Sequence, residues 1–303
     1  MKKLLRFLFS KFSVIEIIFR YIYWKFNLVK YFNFKESSND NELYNFDIIL
    51  ENLKRIGVKK GTILIVHSSF DSLINCSIKP QIVINKLIDI IGEDGTLVMN
   101  SSRILKNNKN NNNLIYDVQK SRVWTGVLPH VMIKDPRAEI SEFPFNPIVA
   151  IGKDAKRITC REFEQNNFES SCGPNSGWKF CSDNNAIVVG LGINLVHSAT
   201  IMHVAEENHE DWPISDWYEK IDVEIINKNI KKNIVVKNRK SKWGKFYLCE
   251  KKFEKDLIDH KILKIENIND FVFSYLNSNE LIDFIKIKNK KSTYPYLIPF
   301  FIK

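Results

Sequence analysis

The sequence predicts an α/β protein, and three observations predict it. The chain has 303 residues, of which 44% are apolar, enough to bury a substantial core in one large domain or two small ones. Short β-branched runs recur along it, as at Thr62-Ile63-Leu64-Ile65-Val66 and Ala186-Ile187-Val188-Val189-Gly190-Leu191. The first of these is followed by an amphipathic helix pattern and a second strand-like run, the spacing of a crossover unit.

Taken in order, residues 42–55 read as a helix after the polar joint Ser37-Ser38-Asn39-Asp40-Asn41. Val58-Lys59-Lys60-Gly61 turns the chain into strand 62–66, and His67-Ser68-Ser69 follows directly. From Gln81 to Ile91 apolar residues fall at 82, 83, 84, 87, 88, 90 and 91, a buried helix. Gly92-Glu93-Asp94-Gly95 then turns into the strand Thr96-Leu97-Val98-Met99. The Asn-rich tract Lys106 to Asn113 reads as a solvated loop. Further strands are expected at 148–151, 186–191, 223–226 and 233–236, and the pattern between Lys252 and Phe284 reads as helical. No internal repeat is visible.

The formal net charge is +10, but eight basic side chains against the single acid Glu16 in residues 1–35 account for seven of those charges. Beyond residue 35 no basic, aromatic-interleaved face suggests nucleic acid. The division expected is a basic amphipathic arm, residues 1–38, and a catalytic body, residues 39–303. No uncharged run between Arg6 and Lys35 exceeds four residues, so the arm cannot span a membrane, and it lacks the apolar middle of a signal peptide. Two readings fit it. One is peripheral membrane contact through residues 1–35, on anionic lipid at the inner face of the cytoplasmic membrane; the other, which we prefer here, is a helical arm packed on the body or on a second subunit. Five cysteines without a C-x-x-C spacing argue for reduced thiols in the cytoplasm.

The stretch Ser198-Ala199-Thr200-Ile201-Met202-His203-Val204-Ala205-Glu206 carries the strongest chemical signal. In a helix, residues i and i+3 share a face, so Glu206 can accept a proton from one nitrogen of His203 and leave the other free as a base. His203, Glu206, Glu207 and His209 are crowded, yet their spacing matches neither usual zinc protease pattern, and no metal is expected. At Val66-His67-Ser68-Ser69 a buried strand ends in hydroxyls and amides suited to a phosphate or an extended amide chain. Ser is also a common helix cap. His130, His197 and His260 read as surface or structural residues, and Asp117 and Thr200 as candidate substrate contacts, Asp117 at the rim of a site.

The order of motifs is more specific than any one of them. Ile56-Gly57-Val58-Lys59-Lys60-Gly61 through Val66-His67-Ser68-Ser69-Phe70, then Gly92-Glu93-Asp94-Gly95-Thr96, Thr125-Gly126-Val127-Leu128-Pro129, Ala150-Ile151-Gly152-Lys153-Asp154-Ala155 and Thr200 to Glu206 together resemble the aminoglycoside 3-N-acetyltransferase family over residues 42–215. The resemblance implies an acetyl-CoA-dependent N-acetyltransferase with a mixed central sheet flanked by helices, unlike the GNAT acetyltransferases. It also implies that His67, Ser68, Ser69 and Phe70 contact coenzyme A, and that His203 and Glu206 are the catalytic pair. Where the family has an Arg-Ser-x-His-Pro run, this chain reads Ile140-Ser141-Glu142-Phe143-Pro144, and a Gly-Ser-Pro turn becomes Ser171-Cys172-Gly173-Pro174. These departures spare the acetyl-transfer pair and bear on the acceptor.

The expected reaction is direct acetyl transfer to the amine of an amino sugar, with His203 as general base and Ser69 or Thr200 as oxyanion donors. The basic charge balance favours an acidic acceptor, a nucleotide-linked amino-deoxy sugar of surface-glycan assembly, over a polycationic aminoglycoside inactivated as an antibiotic. A non-catalytic membrane-associated binding protein and a metal-dependent hydrolase are the readings from other classes.

Overall fold

A computed structural model describes residues 2–26, 28, 45–108, 113–160, 169–268, 271–290 and 292–298. The polar joint at 37–41, residues 42–44 of the first expected body helix, and 109–112 of the Asn-rich tract lie outside them.

The central sheet grows from the apolar runs. β1 (Ile63–Ser68) is buried along almost its whole length, as its unbroken Ile-Leu-Ile-Val run requires of a strand covered on both faces. α4 (Pro80–Ile91) starts with proline at its first position, where the missing N–H costs nothing, and turns Val83, Ile84, Leu87 and Ile91 inward. It returns the chain to β2 (Thr96–Asn100), parallel to β1. β7 (Ile187–Leu191) lies parallel on the other side of β1. β6 (Ile148–Gly152) with β5 (Glu139–Ile140), and β11 (Phe271–Asn277) with β10 (Lys264–Ile268), flank this parallel centre antiparallel. The order is β10-β11-β7-β1-β2-β6-β5, the mixed sheet that the sequence leads one to expect.

Each face has its own core. α3 (Asp47–Arg55), α4 and α5 (Val127–Met132) cover one side with Leu53, Leu87 and Leu128. Against the other side pack α6 (Ala155–Thr159), α7 (Gly177–Asp183), α8 (His203–Glu207), α9 (Glu250–Asp259) and α10 (Ser278–Asn289), through Trp178, Val204, Leu257 and Ile285 among others. The helical reading of 252–284 is corrected here: only its ends are helical, and β10 and β11 lie between. Phe271, Phe273, Ser274 and Leu276 are buried because β11 pairs with β7 inside the sheet, a tertiary contact that no local period reveals.

A second sheet, β3 (Lys106–Asn107), β4 (Leu114–Asp117), β8 (Tyr218–Asn227) and β9 (Ile230–Arg239), encloses a small core around Tyr116, Val223 and Val236. Its β8–β9 hairpin is longer than expected because the two-residue turn at 228–229, with Lys228 at φ 56°, continues the pairing outward to Tyr218↔Arg239. That length carries Arg239 to the side chains of α8.

The arm forms α1 (Lys2–Lys11) and α2 (Ser13–Lys25), which pack on α9 and on the turn 243–247. Glu16 is buried and accepts from the Lys251 N–H at 3.1 and 3.2 Å. Arg20 donates to Gly244 O at 2.7 Å and Lys245 O at 3.1 Å and pairs with Glu250 at 3.4 Å. Burial raises the Glu16 carboxyl to about 7, against the opposing pull of the Lys251 N–H and Arg20. A raised folded pKa means docking stability is full below the free-chain value of 4.5 and is lost as pH rises through 7. Hydrogen exchange across residues 13–25, corrected for intrinsic rates, should therefore quicken between pH 5 and 8, and Glu16→Gln should flatten that dependence. A slope unchanged by the substitution would show that another group governs docking.

Candidate active site

The carboxyl ends of β1, β2 and β7 open into one cavity of about 660 Å³, the usual position for ligands in such sheets. His67 and Ser68 end β1, and Ser69 and Phe70 begin the 3-10 stretch Phe70–Cys76; all four border the cavity. The loop leaving β7 closes against this turn through Gly192, whose φ of 74° and proximity to the Ser72 side chain leave no room for a Cβ. Thr200 and His203 also line the cavity.

α8 begins at His203, so Glu206 sits one turn on and its Oε2 meets His203 Nδ1 at 2.8 Å. The Glu206 side chain is fully buried and that of His203 is 14% exposed. Burial raises the Glu206 pKa, but His203, the Arg239 guanidinium and the Tyr296 hydroxyl outweigh it and hold the carboxyl below its ordinary value. An ionised carboxylate only accepts, so Nδ1–H is the donor of this bond. Tyr296 OH donates to Glu206 Oε1 at 2.7 Å and accepts from Arg239 Nη1 at 2.9 Å. Arg239 Nη1 lies 3.1 Å from His203 Nδ1 and 3.8 Å from Glu206 Oε2, so its charge balances the carboxylate beside the ring. An aromatic cluster anchors both partners: Trp217 stacks edge-on to Tyr296 at 5.0 Å, and Arg239 lies over the Trp217 ring at 5.8 Å.

Arg239 and Tyr296 carry no local signal, being delivered from the second sheet and the C-terminal segment. Asn100 could have been found, because it ends a central strand. Its Nδ2 donates to Thr200 Oγ1 at 2.8 Å, and its Oδ1 accepts from Ser102 Oγ at 2.7 Å. Trp124, 65% exposed, stands at the mouth.

Other expected residues are placed differently. Asp117 is not at the rim; it ends β4 and accepts from the Gln119 and Lys120 N–H groups, capping a turn of the second sheet. The Ser69 N–H is spent on Leu191 O at 2.9 Å, so that amide is not a free oxyanion donor. Thr200 Oγ1 is held by Asn100. Ile140 and Phe143 pack around the second sheet's core, away from the cavity. The altered turn backs α8 instead: Cys172 N–H donates to the buried Glu207 at 2.7 Å. His130 and His260 are on the surface.

Coenzyme A can be tested against the wall. Two buried polar atoms bordering the cavity, His67 Nε2 and Ser198 Oγ, have no protein hydrogen-bond partner. Burial lowers the His67 pKa to about 4, so the ring is neutral at pH 7. Neutral donors and acceptors beside apolar Val66, Phe70 and Val196 fit an extended amide chain. Among the described residues no group of side chains could hold a metal ion.

Residues 65–287 match the sequence profile of the aminoglycoside 3-N-acetyltransferase family. A 56-residue stretch is 43% identical to the SPbeta prophage-derived aminoglycoside N(3')-acetyltransferase-like protein YokD of Bacillus subtilis (strain 168); it covers 18% of this chain and about a fifth, 21%, of that relative's length. Among solved structures, the apoenzyme of aminoglycoside acetyltransferase AAC(3)-IVa superimposes with a TM-score of 0.68 at 19% identity, over 88% of this chain and 95% of that one. AAC-IIIb in binary complex with CoASH gives 0.67 at 16% identity, over 82% and 97%. An AAC(3)-IVa mutant in complex with a gentamicin gives 0.67 at 19%, over 87% and 94%.

Proposed function

Because the chain belongs to the aminoglycoside 3-N-acetyltransferase family, we propose that it transfers the acetyl group of acetyl-CoA to the amine of an amino sugar, with His203 as general base. The observation that carries this reading is the 2.8 Å bond from His203 to the fully buried Glu206 at the wall of a cleft that also carries unpartnered polar atoms. The amine attacks the acetyl carbonyl, the N–C bond forms as the C–S bond breaks, and the amine proton passes to His203 Nε2 and on to the departing thiolate. Glu206 orients the ring and balances the imidazolium, while Tyr296 and Arg239 keep Glu206 ionised and in place. His67, Ser68, Ser69 and Phe70 hold the coenzyme. Ser69→Trp should weaken acetyl-CoA binding by at least tenfold while melting like the parent; unchanged calorimetric affinity would move the coenzyme elsewhere.

The acceptor we favour is a nucleotide-linked amino-deoxy sugar. Of the two carboxylates lining the cavity, Glu250 is engaged by Arg20 and Lys251, which leaves Asp71 to face a substrate. A polycationic drug asks for more negative charge than that. Aminoglycoside acetylation is the second reading, favoured by the relatives' own names and by the gentamicin complex of one of them. Release of free coenzyme A is to be followed with nucleotide-linked amino-deoxy sugars and with aminoglycosides at saturating acetyl-CoA. We expect faster turnover of the nucleotide sugars; efficient turnover of the drugs alone would reverse the choice, and no thiol release with any amine would remove the enzymatic reading.

A further inference from the structure

The face of the arm turned away from the body is unlike the rest of the surface. Eleven of the twenty large apolar side chains exposed among the described residues lie between Leu5 and Phe26, with Phe7, Phe12, Val14, Ile18 and Phe26 each more than half exposed. Elsewhere exposed apolar residues are scattered along the chain, as on any soluble protein. The charge on the same segment is one-sided. Its single acid, Glu16, is buried against the start of α9, and Arg20 is turned inward to Gly244, Lys245 and Glu250. What remains outward is apolar surface with the exposed cations Arg6, Lys11 and Lys25 and no carboxylate.

We propose that α1 and α2 dock the protein onto an anionic lipid surface, lying in the interface with their aromatic and branched side chains among the acyl chains and their cations at the headgroups. Neither helix is long enough to cross a bilayer, at ten and thirteen residues, so the arm lies on the membrane and does not span it. Anionic lipid matches the charge; a second copy of the same face would set cation against cation. The body contacts of Glu16 and Arg20 fix which side of the arm faces out, so the docking face is built before any lipid is met. This goes beyond the acetyl-transfer reading and does not depend on it.

The test uses the full chain and vesicles of phosphatidylcholine with and without phosphatidylglycerol, in cosedimentation at increasing salt. Binding is expected only with phosphatidylglycerol and should weaken as salt rises. Phe7→Ser/Val14→Ser/Ile18→Ser should abolish it while leaving the melting curve and thiol release with a soluble acceptor unchanged. Arg6→Gln/Lys11→Gln, which leaves the apolar face intact, should weaken it on the order of 25-fold, at roughly fivefold per cation lost. The proposal is overturned if the parent ignores phosphatidylglycerol, if both variants bind as the parent does, or if the parent self-associates without lipid in a way the triple serine variant abolishes, which would make a second copy the occupant.

Discussion

His203→Ala is expected to lower acetyl transfer by about 100-fold or more while coenzyme binding stays near the parent value. An amine nucleophile is mostly protonated near neutral pH and must shed a proton to attack a thioester, and His203 is the titratable side chain on that wall whose second nitrogen is already committed to a buried carboxylate. Removing the ring leaves the turn at Ser68 and Ser69, where we place the coenzyme, untouched, because that turn is held by the Ser69–Leu191 bond across the sheet. The loss should therefore fall on kcat, with acetyl-CoA affinity measured by calorimetry nearly unchanged. A variant with near-normal turnover would require a different base.

Glu206 should produce two separable losses. Glu206→Gln keeps the shape but cannot balance an imidazolium, and its amide can donate to Nδ1 and turn the ring's proton to the wrong nitrogen; turnover should fall by about 100-fold. Glu206→Ala should add a loss of stability, about 3 kcal/mol, because Arg239 then faces the site without its carboxylate and the Tyr296 hydroxyl loses its acceptor. The Glu206 pKa is lowered by folding, so its contribution is present above the ordinary carboxyl value and is lost as pH falls through the folded one. Melts between pH 7 and pH 3 should show a shallower acid limb in Glu206→Gln than in the parent. Parent-like activity in Glu206→Gln would leave the carboxylate with a structural part alone.

Local features were legible in the sequence and distant ones were not. His203 and Glu206 are three residues apart, and a helix that begins at the histidine turns that spacing into a bond. β1 and β2 were readable because burial on both faces writes itself as unbroken apolar runs, and α4 because its buried face repeats at helical spacing. Arg239 reaches the same histidine from 36 residues away and Tyr296 reaches Glu206 from 90, through a hairpin and a C-terminal segment whose register is set only by packing. Asp117 misled because a loop aspartate that caps its own turn looks, in sequence, like one that waits for a ligand. The strands at 264–277 were hidden because the buried positions 271, 273, 274 and 276 contain the i, i+3 spacings of a helical stripe as well as fitting a buried strand.

The tie between Tyr296 and Glu206 also sets an order of assembly during synthesis. By the time residue 277 has been made, every strand of the central sheet is present, and the His203–Glu206 pair can close locally. The carboxylate then still lacks its hydroxyl donor, which lies beyond α10 in the chain, in a segment that packs against the Trp217 cluster. The strands of the central sheet are thus all encoded before the last partner of the carboxylate, and a chain cut before residue 296 lacks the hydroxyl from which Glu206 Oε1 accepts.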